Sequence, residues 1–275
     1  MKKLSLGFSP CPNDTFIFYA LAHKKVRGSV EFSETLKDVE TLNRMALRGK
    51  LDVTKVSFSA FGHLREDYCL LHSGSALGRG CGPLIVAKDR INIADLAGKK
   101  IAIPGKMTTA YLLLQLFDHD IRNVVEMPFD QIMNAVSLGT VDAGLIIHEG
   151  RFTYPKYGLQ EIVDLGKWWE GETGLPIPLG GIIAKRNLGT DIINEVDRML
   201  KKSVEFAFAN RGMARSYIKE HAQELDDEII DQHIGLYVND YTLEIGDGAA
   251  AVEELLKRAE ELHLVPQSEK QIFID

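Results

Sequence analysis

Leu4-Ser5-Leu6-Gly7-Phe8-Ser9-Pro10-Cys11-Pro12-Asn13-Asp14-Thr15-Phe16-Ile17-Phe18-Tyr19 reads as a short apolar strand, a loop stiffened by two prolines and an apolar helix. Proline fixes the backbone and is accommodated at a helix start, and Asn13 or Asp14 can cap the helix. The same strand-then-helix grammar recurs outward from this stretch. Val30 to Thr35 precedes Val39 to Leu47, and Asp52 to Ser57 precedes Phe58 to Leu64. Ile101 to Pro104 and Val141 to Ile147 are further strands, separated by helical patterns over Tyr111 to Phe117 and Asp130 to Leu138. Repetition of this kind predicts an α/β fold with a largely parallel sheet and helical crossovers. From Thr190 to His263 the pattern turns almost wholly helical, which predicts a cover over sheets built earlier.

One internal echo suggests two lobes. Gly82-Pro83-Leu84-Ile85-Val86-Ala87-Lys88 resembles Gly181-Ile182-Ile183-Ala184-Lys185, each a glycine-led apolar strand ending in Ala-Lys. If both are crossover strands, residues 1–88 and 180–275 form a discontinuous first lobe and residues 89–179 an inserted second lobe, with a cleft between them. A chain of 275 residues suits two modest lobes, each able to bury a core. Hydrophobic residues at 45% and charged residues at 26% fit a globular chain and exclude a disordered or fibrous one.

A net charge of -7 offers no global attraction for nucleic acid or anionic lipid, so an anion site has to be local. No apolar run is long enough to span a bilayer, and polar residues interrupt any signal-peptide core behind Lys2 and Lys3. Cys11, Cys69 and Cys81 fit neither a disulfide framework nor a zinc spacing, so no metal is expected and a reducing cytoplasm is the simplest location.

Four strand ends carry the candidate chemistry, because ligands in open α/β sheets bind outside the carboxyl ends of the strands. Asn13 and Asp14 follow the first strand, and either a ligand contact or a plain cap suits them. Lys55-Val56-Ser57 puts a cation and backbone donors before a helix, a plausible carboxylate site, although a solvated lysine is also common. Gly105-Lys106-Met107-Thr108-Thr109-Ala110 offers free amides and two hydroxyls at another helix start but lacks the glycine spacing of a phosphate loop, which favours a small carboxylate over a nucleotide, with Thr108 as a plain helix cap the alternative. His148 closes the strand over Val141 to Ile147, where an imidazole can accept a proton near neutral pH, although a lone histidine is more often structural or simply exposed. Its neighbour Glu149 does not start a zinc motif, since Phe152 stands where the second histidine belongs. The other seven histidines, His233 among them, show no comparable setting. Gly78-Arg79-Gly80-Cys81-Gly82 precedes a strand and not a helix, so it reads as close backbone approach at a hinge or a ligand. Trp168 and Trp169 serve either as a wall of the cleft or as core.

Together and in this order, these features resemble the 1,4-dihydroxy-6-naphthoate synthase family of the futalosine route to menaquinone. The resemblance runs the whole chain and is carried most specifically by Gly7-Phe8-Ser9-Pro10-Cys11-Pro12-Asn13-Asp14-Thr15-Phe16, with Lys55-Val56-Ser57, Thr108-Thr109-Ala110, His148-Glu149-Gly150-Arg151 and Gly174-Leu175-Pro176-Ile177-Pro178. It implies a two-lobed fold like that of type II periplasmic binding proteins with a central cleft. It further implies cofactor-free cleavage of cyclic dehypoxanthine futalosine to 1,4-dihydroxy-6-naphthoate and a three-carbon fragment in the cytoplasm. By the same carry-over, Lys55 to Ser57 and Thr109-Ala110 are substrate-binding positions and His148 is the proton acceptor. Two other readings share the cleft: a carboxylate-binding solute receptor, and chorismate dehydratase, a sister enzyme on the same fold.

Overall fold

A computed structural model describes residues 2–222 and 226–274. The first βα units follow the sequence pattern closely: β1 (Lys2–Phe8), α1 (Pro12–Ala22), β2 (Val30–Leu36), α2 (Val39–Leu47), β3 (Val53–Ser57) and α3 (Phe58–Gly62). Two short strands, β4 (Tyr68–Leu70) and β5 (Ala76–Gly78), precede the crossing to a second sheet. That sheet is built from β6 (Leu84–Ala87), β7 (Ile101–Ile103), α4 (Thr109–Phe117), β8 (Val124–Glu126), α5 (Phe129–Ser137), β9 (Ala143–Ile146), α6 (Gly150–Thr153), β10 (Gln160–Asp164) and α7 (Leu165–Thr173). The chain returns along β11 (Ile177–Lys185) and ends in α8 (Thr190–Ala209), α9 (Arg215–His221), α10 (Asp227–Tyr237), α11 (Asp240–Leu243) and α12 (Ala249–Glu261). Residues 223–225, inside the stretch expected to be helical, lie outside the described residues.

The sheets are mixed rather than largely parallel. The first has the order β2-β1-β3-β11-β4 with β5 also on β11, and the second β10-β6-β9-β7-β8. β2, β1 and β3 run parallel, as do β8, β7 and β9, whereas β11 and β6 pair antiparallel with their neighbours. The βα units make the parallel half of each sheet, and a strand arriving from the other sheet makes the antiparallel half. The sequence echo falls on those two arriving strands, but it assigned residues up to 88 to the first lobe, whereas Leu84–Ala87 pair in the second sheet. β6 bonds in the second sheet and β11 in the first, so the crossings fall between Gly78 and Leu84 and between Asp164 and Ile177. The first crossing is the glycine-rich run itself: a Cβ on Gly82 would lie 2.3 Å from the Gly166 backbone, a contact that only glycine permits.

The apolar core has three parts. One fills the first lobe around α1, α8 and α10, and one lies on the second sheet beneath α5. The third runs through both lobes, joining Val56, Phe58 and Leu70 to Ile101, Leu113, Leu145 and Trp169. α1 is buried on nearly every side, which explains why its sequence from Phe16 to Ala22 is apolar all round rather than on one stripe. No described helix is long and apolar enough to cross a membrane.

Candidate active site

The carboxyl ends of β1, β3, β7 and β9 converge on one cavity of about 660 Å³ including its mouth. Asn13, Asp14, Lys55, Val56, Ser57, Thr108, Thr109, Ala110 and His148 all contribute to its wall, so every residue singled out for binding or catalysis lies there. Thr108, Thr109, Ala110 and His148 come from the second sheet's strand ends and the rest from the first, which makes the cavity an inter-lobe site.

Asp14 organises the first wall. Its Oδ2 accepts from Ser9 Oγ (2.7 Å) and the Ser9 amide (3.1 Å), and its Oδ1 accepts from Asn13 Nδ2 (3.0 Å) and pairs with Lys55 Nζ at 3.3 Å. Lys55 is buried and also reaches the Gly74 carbonyl at 3.4 Å. An ammonium carries three donors, so one N–H of Lys55 remains for a ligand. Asn13 is therefore more than a cap: its side chain belongs to this network and makes no cap of α1.

The hydroxyls of Thr108 and Thr109 are committed to the fold. Thr108 Oγ1 donates to the Gly105 carbonyl (2.7 Å) and accepts from the Tyr111 amide (3.2 Å) as the N-cap of α4, while Thr109 Oγ1 donates to the Leu179 carbonyl (2.6 Å) and accepts from the Ser59 amide (3.3 Å). What α4 can offer an anion is its first-turn amides at Thr109 and Ala110, which have no acceptor inside the helix. Ser57 is similarly engaged, its amide donating to Asn43 Oδ1 (2.9 Å) and its Oγ accepting from Asn43 Nδ2 (3.1 Å).

His148 follows β9 with φ of +56°, a left-handed conformation unusual outside glycine, asparagine, aspartate and histidine. Burial lowers its pKa to about 4, opposed by the nearby Asp14 carboxylate and reinforced by Lys55. The imidazole is therefore neutral at physiological pH and able to accept a proton. Phe129 meets the ring edge-on at 5.1 Å, and the His233 ring lies nearly parallel to it at 6.1 Å.

His233 is the residue sequence reasoning missed. It is fully buried on α10, its Nε2 lies 3.0 Å from Asn13 Oδ1, and Tyr237, one turn later, lines the cavity. The i, i+4 spacing of His233 and Tyr237 on one helix face was the available signal. Burial pushes the His233 pKa well down and that of the Tyr237 phenol up. Asn43 was missed as well; fully buried, it ties Ser57 to the Met107 carbonyl (3.2 Å) across the lobes.

Neither tryptophan lines the cavity. Trp169 is core, donating Nε1–H to the Pro176 carbonyl at 3.0 Å beneath Arg258, and Trp168 packs edge-on to Phe117. Among the described residues, the group of potential ligands close enough to share a metal ion is Asp118, His119 and Asp120, beyond the far end of α4 from the cavity. The three cysteines are buried free thiols, with Cys81 on the cavity wall.

Comparison with known proteins agrees with this architecture. The chain is 50% identical over 275 residues to a Thermus thermophilus protein named 1,4-dihydroxy-6-naphthoate synthase, with all of both chains covered. A solved Archaeoglobus fulgidus structure superposes with a TM-score of 0.91 at 40% identity, covering 96% of this chain and 98% of that one. The alkanesulfonate-binding protein of Xanthomonas axonopodis superposes with a TM-score of 0.71 at 16% identity, covering 97% and 95%, a likeness of fold to the periplasmic binding proteins. The family pattern described as menaquinone biosynthesis matches residues 4–261, which takes in every strand end on the cavity wall, and the chain belongs to that family.

Proposed function

We propose that the protein is a carbon–carbon lyase of menaquinone biosynthesis, a 1,4-dihydroxy-6-naphthoate synthase that cleaves cyclic dehypoxanthine futalosine to 1,4-dihydroxy-6-naphthoate and a three-carbon fragment. The observation that carries the reading is end-to-end identity of 50% to a relative of that name. The neutral His148 in the same cavity as Lys55 and the first turn of α4 supports it.

In this reading His148 removes a proton from the cyclic substrate. The electron pair left behind breaks a carbon–carbon bond in an aldol-like cleavage, and formation of the aromatic naphthoate makes the step downhill. Lys55 and the amides of Thr109 and Ala110 hold the carboxylate and developing oxyanion, fixed donors that need not reorganise during reaction. Closure of the lobes excludes water. Three free cysteines, all buried, suit a reducing cytoplasm as the site of this reaction.

The test is incubation of purified protein with cyclic dehypoxanthine futalosine, with the naphthoate followed by fluorescence or mass. Catalytic formation of naphthoate is expected. Stoichiometric binding without product would instead make the protein a carboxylate receptor, and rapid turnover of chorismate would make it the sister dehydratase.

A further inference from the structure

We infer that His233 is a positioning residue that aligns the two halves of this site, fixing the Asn13 amide on the first lobe and setting the plane of the His148 ring on the second. The inference rests on the lyase reading above. Asn13 Nδ2 donates to Asp14 Oδ1, so Asn13 Oδ1 faces away from that carboxylate and toward His233. Only an N–H at His233 Nε2 satisfies that oxygen, and this assigns the tautomer. A flipped Asn13 would set its carbonyl oxygen against Asp14 and disturb the carboxylate that holds Lys55. The order of action is thus His233 to Asn13, Asn13 to Asp14, and Asp14 to Lys55.

The same ring faces the second lobe. His148 and His233 lie at an interplanar angle of 11°, with His148 carried on the strand end of β9 and His233 on α10. Aromatic rings at this separation favour a defined relative orientation. His233 Nδ1 has no hydrogen-bond partner, and the Glu149 carboxylate oxygen Oε2 is 4.0 Å away. A buried ring nitrogen left without a hydrogen-bond partner costs free energy. A role in packing alone does not account for it, whereas alignment of Asn13 and His148 does.

The experiment compares His233→Gln, whose amide nitrogen can reproduce the Nε2 donor, with His233→Leu, which cannot. Steady-state kinetics with cyclic dehypoxanthine futalosine and equilibrium titration with 1,4-dihydroxy-6-naphthoate are the readouts. His233→Leu is expected to raise KM and the naphthoate Kd by about tenfold or more, and His233→Gln to restore both to within about threefold while leaving kcat about tenfold low for want of the ring. Equal KM and Kd in the two variants, or wild-type kcat in either, overturns the inference. If His233→Leu does not fold, His233→Asn, too short to reach Asn13, replaces it in a double-mutant cycle with Asn13→Ala. Their effects on Kd must then be non-additive, and additivity overturns the inference. A wild-type protein that binds the naphthoate but never forms it sinks the lyase reading alone, because the Kd comparison still decides the role of His233.

Discussion

Lys55 Nζ lies 3.3 Å from Asp14 Oδ1, and both side chains are withdrawn from bulk water. The two partners are not equivalent. Asp14 keeps the Ser9 amide, the Ser9 hydroxyl and the Asn13 amide as donors if Lys55 is lost, whereas Lys55 without Asp14 keeps only the Gly74 carbonyl. Removing one partner of a buried pair costs about 3–5 kcal/mol when the other charge is left uncompensated. Asp14→Asn is therefore expected to lose about 3 kcal/mol of stability in urea unfolding, and Lys55→Met clearly less. Lys55→Met should nonetheless raise KM strongly. Equal losses of stability would show that Ser9 and Asn13 do not hold the carboxylate as described.

His148→Asn tests the base while respecting the backbone. Asparagine is among the few residues that readily adopt the left-handed conformation that His148 holds at φ of +56°. The variant should fold and bind the naphthoate like the parent, and its kcat should fall at least about 100-fold, the lower range for loss of a general base. Turnover within a few-fold of the parent would remove His148 from the mechanism.

The pH dependence follows from the direction of the His148 shift. Burial lowers its pKa from 6.5 to about 4, so the basic form predominates at any pH well above 4. The acid limb of kcat/KM, which reports the free enzyme, should have its midpoint near 4. A midpoint near 6.5 would place His148 in a wetter setting than the structure gives it. Stability follows the same sign. With the folded pKa depressed, the unfolded chain binds the proton first as pH falls below about 6.5, so the His148 contribution declines from there to about 4. His233, also shifted down, declines in the same direction.

The parts of the site that were legible in the sequence are those set by chain neighbours. A proline at the first turn of α1 and strands ending at Ser57, Ile103 and Ile146 fix where strands give way to helices, and those strand ends and first helical turns carry Asn13, Asp14, Lys55, Thr109 and His148. What was hidden depends on distant parts of the chain. His233 meets Asn13 across 220 positions and lies on a helix whose buried face looks like ordinary core. The Thr109 hydroxyl looked free because its acceptor, Leu179, is brought near only by the returning strand, whereas a cap at Thr108 was open from its place before α4. β4 and β5 have three residues each, too few to display an alternating period, and so these two antiparallel partners of β11 went unread.

Two kinds of contact join α2 to the second lobe, and they should differ in weight. Arg44 reaches Glu126 at 2.6 Å from a half-exposed position, a setting in which ion pairs contribute about 0–1 kcal/mol. Asn43 is fully buried and satisfies Ser57 and the Met107 carbonyl at once. Asn43→Ala leaves those groups unpaired at about 1–3 kcal/mol and should also raise KM, while Arg44→Ala should change stability by under about 1 kcal/mol. Urea midpoints at unchanged m-value make the comparison, and a larger effect at Arg44 would put the lobe contact on the surface instead of at the cavity.

The crossing between the sheets gives the sharpest contrast, because two of its glycines answer to different physics. Gly80 has φ of +67° with open space around a would-be Cβ, so Gly80→Ala meets only the backbone cost of about 1 kcal/mol. Gly82 carries no such φ, but its Cβ would lie 2.3 Å from both Cα and N of Gly166, and backbone cannot swing aside as a side chain can. Gly82→Ala must part the outgoing strand from the start of α7, and the Arg151 guanidinium that donates to the Gly82 carbonyl (2.7 Å) and to Asp164 (2.6 Å) moves with it. Overpacking of this kind costs about 1–3 kcal/mol or more, and here it falls at the crossing between the two sheets. Gly82→Ala is therefore expected to be the less stable of the two and to lose naphthoate affinity, which Gly80→Ala should keep. Thermal unfolding and titration of both variants decide it, and equal behaviour would mean that the Gly82–Gly166 approach is not the tight point of the crossing.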